Sequence, residues 1–419
     1  MKRLSLIAAA LLIAQAAGAG VPATLVWEGD HLHALRTRGA ATVDQAAAIE
    51  QLVEKARASQ RNGVYSVVDK KMTPASGDKH DYASFGRYWW PNPDTPDGLP
   101  YVRRDGVVNP GALDGGDRVR LARFCDDVEA TALSAYLLHD EAAGEHAARL
   151  LRVWFLDEAT RMRPRVRYGQ AVPGRTDGRG AGVLDTRNFL RVLDAIALLR
   201  ETGAVDDATR DGLIAWFEEY LVWLKESPIA AEERDAANNH GTWFAAQEAG
   251  VAAFVGDRAY ATRVLARARD QRLDKQFAAD GSQPHEAART QSLHYHLFNV
   301  TAWFTLARVG EHLGVDLWSH ESARGRSMRK GLDYALVGVA DAEDWPHPTL
   351  SRFALSSGEV GVLLLAADRW KAPHYRRTLE TAPRKDQGRR LAPLLFADPY
   401  GEPIAVAGVD PPTSVADAQ

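Results

Sequence analysis

Residues 118–138 read RVRLARFCDDVEATALSAYLL, and this stretch decides the fold class. Leu121, Phe124, Cys125, Val128, Ala132 and Ala135 recur at three-and-four spacing, the period of one buried helix face. The positions between them are largely Ala, Leu, Arg and Glu, all good helix formers. Working outward, the same spacing returns in Val43–Ser59, Glu141–Phe155, Arg187–Thr202, Asp207–Leu224 and Arg258–Arg272. Short turns such as Gly203-Ala204-Val205 and Gly256-Asp257 separate these runs. No strand–helix alternation, no fixed repeat and few period-two runs appear. The pattern predicts an all-α fold of antiparallel helix pairs. Two long irregular segments interrupt it: Lys70–Gly116, containing WWPNPDTPDGLP, and Met162–Val183, containing PGRTDGRGAG. Segments this long in a compact domain are usually functional loops.

The 419 residues are 46 % hydrophobic and 25 % charged, values of a globular chain with a large core. A net charge of −4 argues against a nucleic-acid binder and leaves room for a local basic cleft. Met1-Lys2-Arg3, the apolar run Leu4–Ala17 and Ala17-Gly18-Ala19 form a secretory signal pattern. Residues 1–19 are therefore expected to be removed, placing the protein in the periplasm or outside the cell, with no membrane association afterwards. Residues 20–401 read as one domain, and 402–419, rich in Pro, Ala and Asp, as a disordered tail. Cys125 is the only cysteine, so no intramolecular disulfide can form; without a basic neighbour it reads as a small core residue.

Four clusters carry residues suited to chemistry. Tyr88, Trp89 and Trp90 follow Lys79, His80, Asp81 and Arg87. Flat aromatic faces stack on sugar rings, and cations hold carboxylates; the plainer reading has the tryptophans plugging the core. Gly174–Gly182 mixes four glycines with Arg175 and Arg179. It lacks the Gly-Lys-Ser/Thr ending of a phosphate loop, and reads as a mobile basic lid or, more plainly, a surface loop. Asn238-Asn239-His240-Gly241-Thr242-Trp243 gathers two amides, an imidazole and an indole at a helix start, where Asn238 is a natural cap. Finally, Glu286 to His296 carries Arg289, His294, Tyr295 and His296. Two histidines two apart on a helix point to different faces, and no metal-ligand pattern accompanies them. Neither a metal nor a cofactor is expected.

Asn238–Trp243, followed some fifty residues on by Arg289 and Tyr295-His296, resembles the alginate lyase superfamily, polysaccharide lyase family 5 and relatives such as family 38. The likeness extends through Lys71–Pro74, Gly77–Tyr82, Trp89–Pro93, Asp97–Tyr101, Trp154–Leu156, Thr160–Met162, Gln170 and Gly178-Arg179-Gly180. The Lys70–Tyr101 block is closer to family 38. This resemblance implies an (α/α) toroid, an incomplete barrel with a cleft on its concave face. Matched by motif, Asn239 and His240 face a uronate, Tyr295 transfers the proton and Arg289 assists. Lys79, His80, Tyr88, Trp89, Trp90, Gln170, Arg175, Arg179, Trp243 and His296 would contact an acidic polysaccharide. Arg289 and Tyr295 are six positions apart, about 120° around an ideal helix, so the helix breaks between them or one side chain reaches around.

The implied reaction is β-elimination. A C5 proton is barely acidic beside a charged carboxylate, so donors must neutralise that group. A tyrosinate at Tyr295 would take the proton, which requires neighbouring cations to lower its pKa from about 10. Two other functions fit the same sequence. A glycoside hydrolase would need two opposed acids, for which Glu232, Glu233, Asp235, Glu248 and Glu286 are available. A glycan-binding protein would keep the cleft without catalysis.

Overall fold

A computed structural model describes residues 20–351, 353–384 and 391–404. Residues 1–19, read as a signal peptide, and residues 405–419 of the segment read as a tail lie outside the described residues. The helices, in chain order, are α1 (Gly29–Arg38), α2 (Val43–Asn62), α3 (Arg118–Leu138), α4 (Glu141–Leu151), α5 (Phe189–Glu201), α6 (Asp207–Glu226), α7 (Pro228–Arg234) and α8 (Asn239–Phe254). They continue with α9 (Arg258–Arg267), α10 (Leu273–Gln276), α11 (Pro284–Ala287), α12 (Ser292–Glu311), α13 (Met328–Ala340), α14 (Ser357–Arg369), α15 (Pro373–Thr381) and α16 (Ala392–Leu395).

Five of them form an inner series in which α3 packs on α5, α5 on α8, α8 on α12 and α12 on α14. Partners lie outside: α2 and α4 on α3, α6 and α9 on α8, α13 on α12, α15 on α14. The four-residue α16 bridges from α14 to α1 and α2, both of which rest on α3. The circuit is an (α/α) toroid whose last inner position holds a stub rather than a full helix. The sequence explains which helices are inside. In α8 every residue from Gly241 to Ala252 is buried, the all-round burial expected of a core helix. Close packing needs small residues there: a Cβ at Gly250 would sit 2.2 Å from Leu190 Cδ2. Phe124 stacks on Trp154 with ring centroids 4.5 Å apart, and Phe155, Phe189 and Trp216 continue the aromatic core.

The reading of 118–138 as one helix matches α3. Elsewhere the ends differ because the chain changes winding. Residues Arg152–Leu156 form a π turn that drives Trp154 and Phe155 into the core, and Gly180–Asn188 is a 3₁₀ stretch feeding α5. A second π turn, Ala268–Arg272, follows α9. Cys125 is buried and its thiol is pushed up to about 12 by burial, the behaviour of a core residue.

The two irregular segments are stitched together. β1 (Ala83–Phe85) pairs in parallel with β4 (Tyr168–Ala171), and β2 (Trp89–Trp90) pairs antiparallel with β3 (Val102–Arg103). A fully buried ion pair, Lys70 Nζ to Asp117 Oδ2 at 3.0 Å, ties the two ends of the first segment. Lys70 Nζ also donates to the carbonyls of Val67 and Lys79 at 2.6 Å. At the other terminus Glu402–Ile404 is not free: Glu402 O accepts from Val43 N, and Ile404 N donates to Ala41 O, each at 3.0 Å. Backbone pairing thus holds the first three residues of the segment read as a tail against Ala41–Val43.

Candidate active site

The Asn238–Trp243 cluster sits where α8 begins. Asn238 is the cap, its Oδ1 accepting from His240 N at 3.2 Å, so Asn239 and His240 occupy the first turn with their backbone orientation fixed. Opposite them, α12 begins only at Ser292. Arg289 therefore lies in the turn before the helix, and its guanidinium carbon sits over the Tyr295 ring, 3.7 Å from the centroid. The helix break resolves the six-residue offset.

These groups line a cavity of about 480 Å³. Asn239, His240, Arg289, Tyr295, Tyr88, Trp89, Gln170 and Arg179 all border it, together with Arg87, Arg103, Arg118, Arg187 and His294. Six arginines and two histidines thus line the cavity, and among the described residues no aspartate or glutamate does. Its field favours an anion.

Tyr295 donates a 2.7 Å hydrogen bond to the Tyr88 hydroxyl. Burial, then the neighbouring Tyr88, pushes the Tyr295 phenol well above its ordinary value, and the pull of Arg289 in the other direction does not prevail. The expected lowering by cations is therefore reversed at rest, because desolvation of the ring outweighs one guanidinium already paired with an acid. That acid is Asp105, which accepts from Arg289 Nη2 at 2.8 Å and Nε at 3.1 Å. Half-buried and bound by Arg289 and Thr290, the Asp105 carboxyl is drawn down to about 2, against the desolvation that would raise it.

His240 Nδ1 lies 2.6 Å from Oε1 of the buried Glu233 on α7, leaving Nε2 as the nitrogen open to other partners. Asn239 donates from its backbone N and from Nδ2 to Glu286, at 2.6 and 2.8 Å. Gln170 adopts a left-handed φ of 51°, a strained backbone of the kind concentrated at functional sites. Its side chain is committed at both ends: Nε2 donates to Asp185 at 3.0 Å and Oε1 accepts from Arg179 at 2.9 Å. Asp185 also pairs with Arg118 at 3.2 Å and accepts from Tyr82 and Ser84.

Six of the residues read as substrate-binding do not border this cavity. Lys79 Nζ donates to Lys70 O and His80 Nδ1 contacts Arg161 O, both anchoring the base of the first loop. Trp90 donates to Val107 O under the guanidinium of Arg104. Arg175 donates to Tyr101 O and lies over Trp89, 5.3 Å from the ring centroid. Trp243 is buried against Phe298. His296 is fully buried, accepting from Gln283 N while its Nδ1 meets Ser292 O. The glycines of 174–182, the segment read as a lid, allow close packing: a Cβ at Gly178 would lie 1.9 Å from Arg167 O, and one at Gly180 2.9 Å from Glu233 N.

Arg103, Arg118 and Arg187 escaped the sequence reading because no motif surrounds them; Arg118 opens α3 simply as a polar helix residue. His294 borders the cavity while His296 does not, as their spacing required, and no group of three His, Cys, Asp or Glu among the described residues could hold a metal. Nor is any described helix long and apolar enough to cross a membrane.

An arginine-lined cleft on an (α/α) toroid, with a tyrosine, a histidine and an asparagine converging on it, defines the class of toroidal polysaccharide lyases. The model of the alginate lyase family matches residues 66–345. This chain belongs to the alginate lyase family and is a polysaccharide lyase. Among solved structures, an alginate lyase from Bacteroides ovatus is 31 % identical, with a TM-score of 0.84 over 90 % of this chain and 100 % of that one. Alginate lyase A1-III from Sphingomonas species A1, at 16 % identity and a TM-score of 0.54 over 83 % of this chain and 95 % of that one, shares the fold. No curated protein matches.

Proposed function

We propose that this lyase cleaves a β-1,4-linked polyuronate, alginate rich in mannuronate or glucuronan, by metal-independent syn β-elimination. The observation that carries the reading is the cavity wall around the Tyr295 hydroxyl, where six arginines and two histidines and, among the described residues, no acid come together. Arginine and imidazole donors there neutralise the uronate carboxylate, which makes the C5 proton acidic enough to remove. Tyr295 takes that proton as its tyrosinate, the phenol proton having first gone to solvent, with the Arg289 guanidinium over the ring favouring the charged form. The C5–H electrons form the C4=C5 double bond, the C4–O4 bond breaks, and the Tyr295 phenol returns the proton to O4. In β-mannuronate and β-glucuronate the C5 hydrogen and O4 share a face, so one tyrosine serves both. Their difference at C2 lies away from the bond being broken. The similar Bacteroides ovatus protein is described as an alginate lyase, which supports alginate; the Lys70–Tyr101 block resembling family 38 supports glucuronan.

A hydrolase reading is disfavoured by what the nearby acids do. Glu233 holds His240, Glu286 holds Asn239, and Glu232 accepts from Gly180 N, so no two carboxyls face each other across the cavity. The signal pattern of residues 1–19 supports action in the periplasm or outside the cell. The test is ultraviolet absorbance from the C4=C5 product on mannuronan, guluronan, glucuronan and hyaluronan. Reducing ends without that absorbance would overturn the lyase reading in favour of hydrolysis, and binding without turnover would favour a glycan-binding protein.

A further inference from the structure

Asn239 presents the wrong end of its amide for the work its position implies. A carboxylate can only accept hydrogen bonds, so ionised Glu286 draws the amide NH₂ to itself, with Nδ2 2.8 Å from Oε2. The other end, Oδ1, is buried without a hydrogen-bond partner, in a residue that borders the cavity. An unpaired buried acceptor costs about 1–3 kcal/mol. Were this amide to meet a uronate carboxylate as it stands, it would offer a lone pair where a donor is needed. A half-turn of the amide cures both defects, provided the second residue can donate to Oδ1.

We propose that Glu286 is a positioning residue that works in its protonated form, its proton donated to Asn239 Oδ1 so that Nδ2 faces the substrate carboxylate. Glu286 Oε1 continues to accept from Asn239 N, 2.6 Å away, so the backbone bond survives the change. No bond to substrate forms or breaks at Glu286; one proton stays on its carboxyl through turnover. The inference rests on the polyuronate lyase reading above and deepens it by assigning the donor.

The surroundings fit a neutral acid. Glu286 is 1 % exposed, and no cation bonds it directly. Arg289, on its own turn, is spent on Asp105, and His240, on α8, is spent on Glu233. Of the titratable groups at the start of α12, Tyr295 lies under Arg289 and His296 is tied to Gln283. Burial raises the Glu286 pKa, with the Asn239 donors, Arg289 and His240 pulling it back.

Glu286→Gln tests this, because its Oε1 can accept from the backbone while its Nε2 permanently donates to Oδ1. The variant should keep kcat/KM within about threefold of wild type at the optimum. Above the pH where wild type declines, it should exceed wild type. A loss beyond about tenfold at every pH in a variant of unchanged melting temperature would overturn the proposal, as would two superimposable pH profiles. A second measurement needs no change at Glu286: mannuronan affinity of Tyr295→Phe, which keeps the ring and the arginine donors, should weaken by about tenfold as pH rises through the same transition. Affinity independent of pH would equally overturn it. Inactivity of the wild type on every polyuronate would sink the functional reading, whereas loss confined to Glu286→Gln sinks this inference alone.

Discussion

Tyr295→Phe removes one oxygen and leaves the aromatic ring beneath Arg289, 3.7 Å from its centroid. Among the described residues the bond lost is the 2.7 Å donation to Tyr88, worth about 1 kcal/mol net, so melting should fall by only a few degrees. Activity should fall much further. If the same phenol takes the C5 proton and returns it to O4, the variant loses both proton transfers. One positioned acid–base group is worth about 10²–10⁴ in rate, or roughly 3–5 kcal/mol of barrier, and a dual role belongs at the top of that range. KM should change little, since the arginines remain. The assay is the initial rate of ultraviolet absorbance at saturating polyuronate, paired with the melting temperature. Tyr88→Phe is the control that separates chemistry from packing, because it deletes the same hydrogen bond and spares the Tyr295 hydroxyl. Equal losses in both variants would assign the effect to the bond. A folded Tyr295→Phe that keeps more than about a tenth of kcat would rule out Tyr295 as the proton shuttle.

Exhaustive chelation should leave activity intact, since the cavity already supplies arginine donors; loss restored by one divalent ion would refute this. Arg179→Ala should raise KM for the polyanion and flatten its salt dependence, while Arg175→Ala, outside the cavity, should act only weakly through Trp89; the reverse ranking would contradict the placement of the two side chains. His296 supplies a pH dependence of stability. Burial drops its pKa from 6.5 to about 4, so below 6.5 the unfolded chain binds a proton that the folded ring refuses. Stability should decline from about pH 6.5 to about pH 4 by up to roughly 3 kcal/mol and then level off. Denaturant titrations of wild type and His296→Gln at pH 7, 5.5 and 4 should converge, and parallel losses would exclude His296 as the source.

The helices were legible in the sequence where they obey one period. α3 runs over the residues whose spacing announced it, because its buried stripe repeats without a break. Periodicity failed where the winding changes, as at Arg152–Leu156 and Ala268–Arg272, since a π turn leaves no mark in the apolar spacing. The strands were invisible for a different reason. β1 and β4 are three and four residues long and lie more than eighty positions apart, so nothing local specifies their pairing. In the site, motif residues near helix starts came together in the cavity, as Asn239, His240 and Tyr295 do. Trp243 and His296 share those motifs but point into the core, a distinction that depends on helical phase rather than on residue type. Arg118 and Arg187 carry no motif at all and reach the cavity only because α3 and the turn before α5 meet there.

The acids around the cavity show how its charge is organised. None borders it, yet each stands behind a group that does: Asp105 behind Arg289, Asp185 behind Arg118 and Gln170, Glu233 behind His240, Glu286 behind Asn239. Placed inside the cavity, any of these carboxylates would repel a uronate. Placed behind, Asp105, Asp185 and Glu233 hold their donors in place, so less rotamer freedom remains to be lost when substrate binds, while Glu286 sets which end of the Asn239 amide is turned away from it. The arrangement also limits substitution. Removing Glu233 or Asp185 should not simply add positive charge to the cavity; it frees the donor in front, which then loses its aim. This is why charge counting predicts tighter binding for Glu233→Ala, whereas the geometry predicts slower turnover from a disoriented His240. The first expectation concerns KM and the second kcat, so a kinetic measurement of that variant in which KM falls and kcat holds would refute the geometric reading.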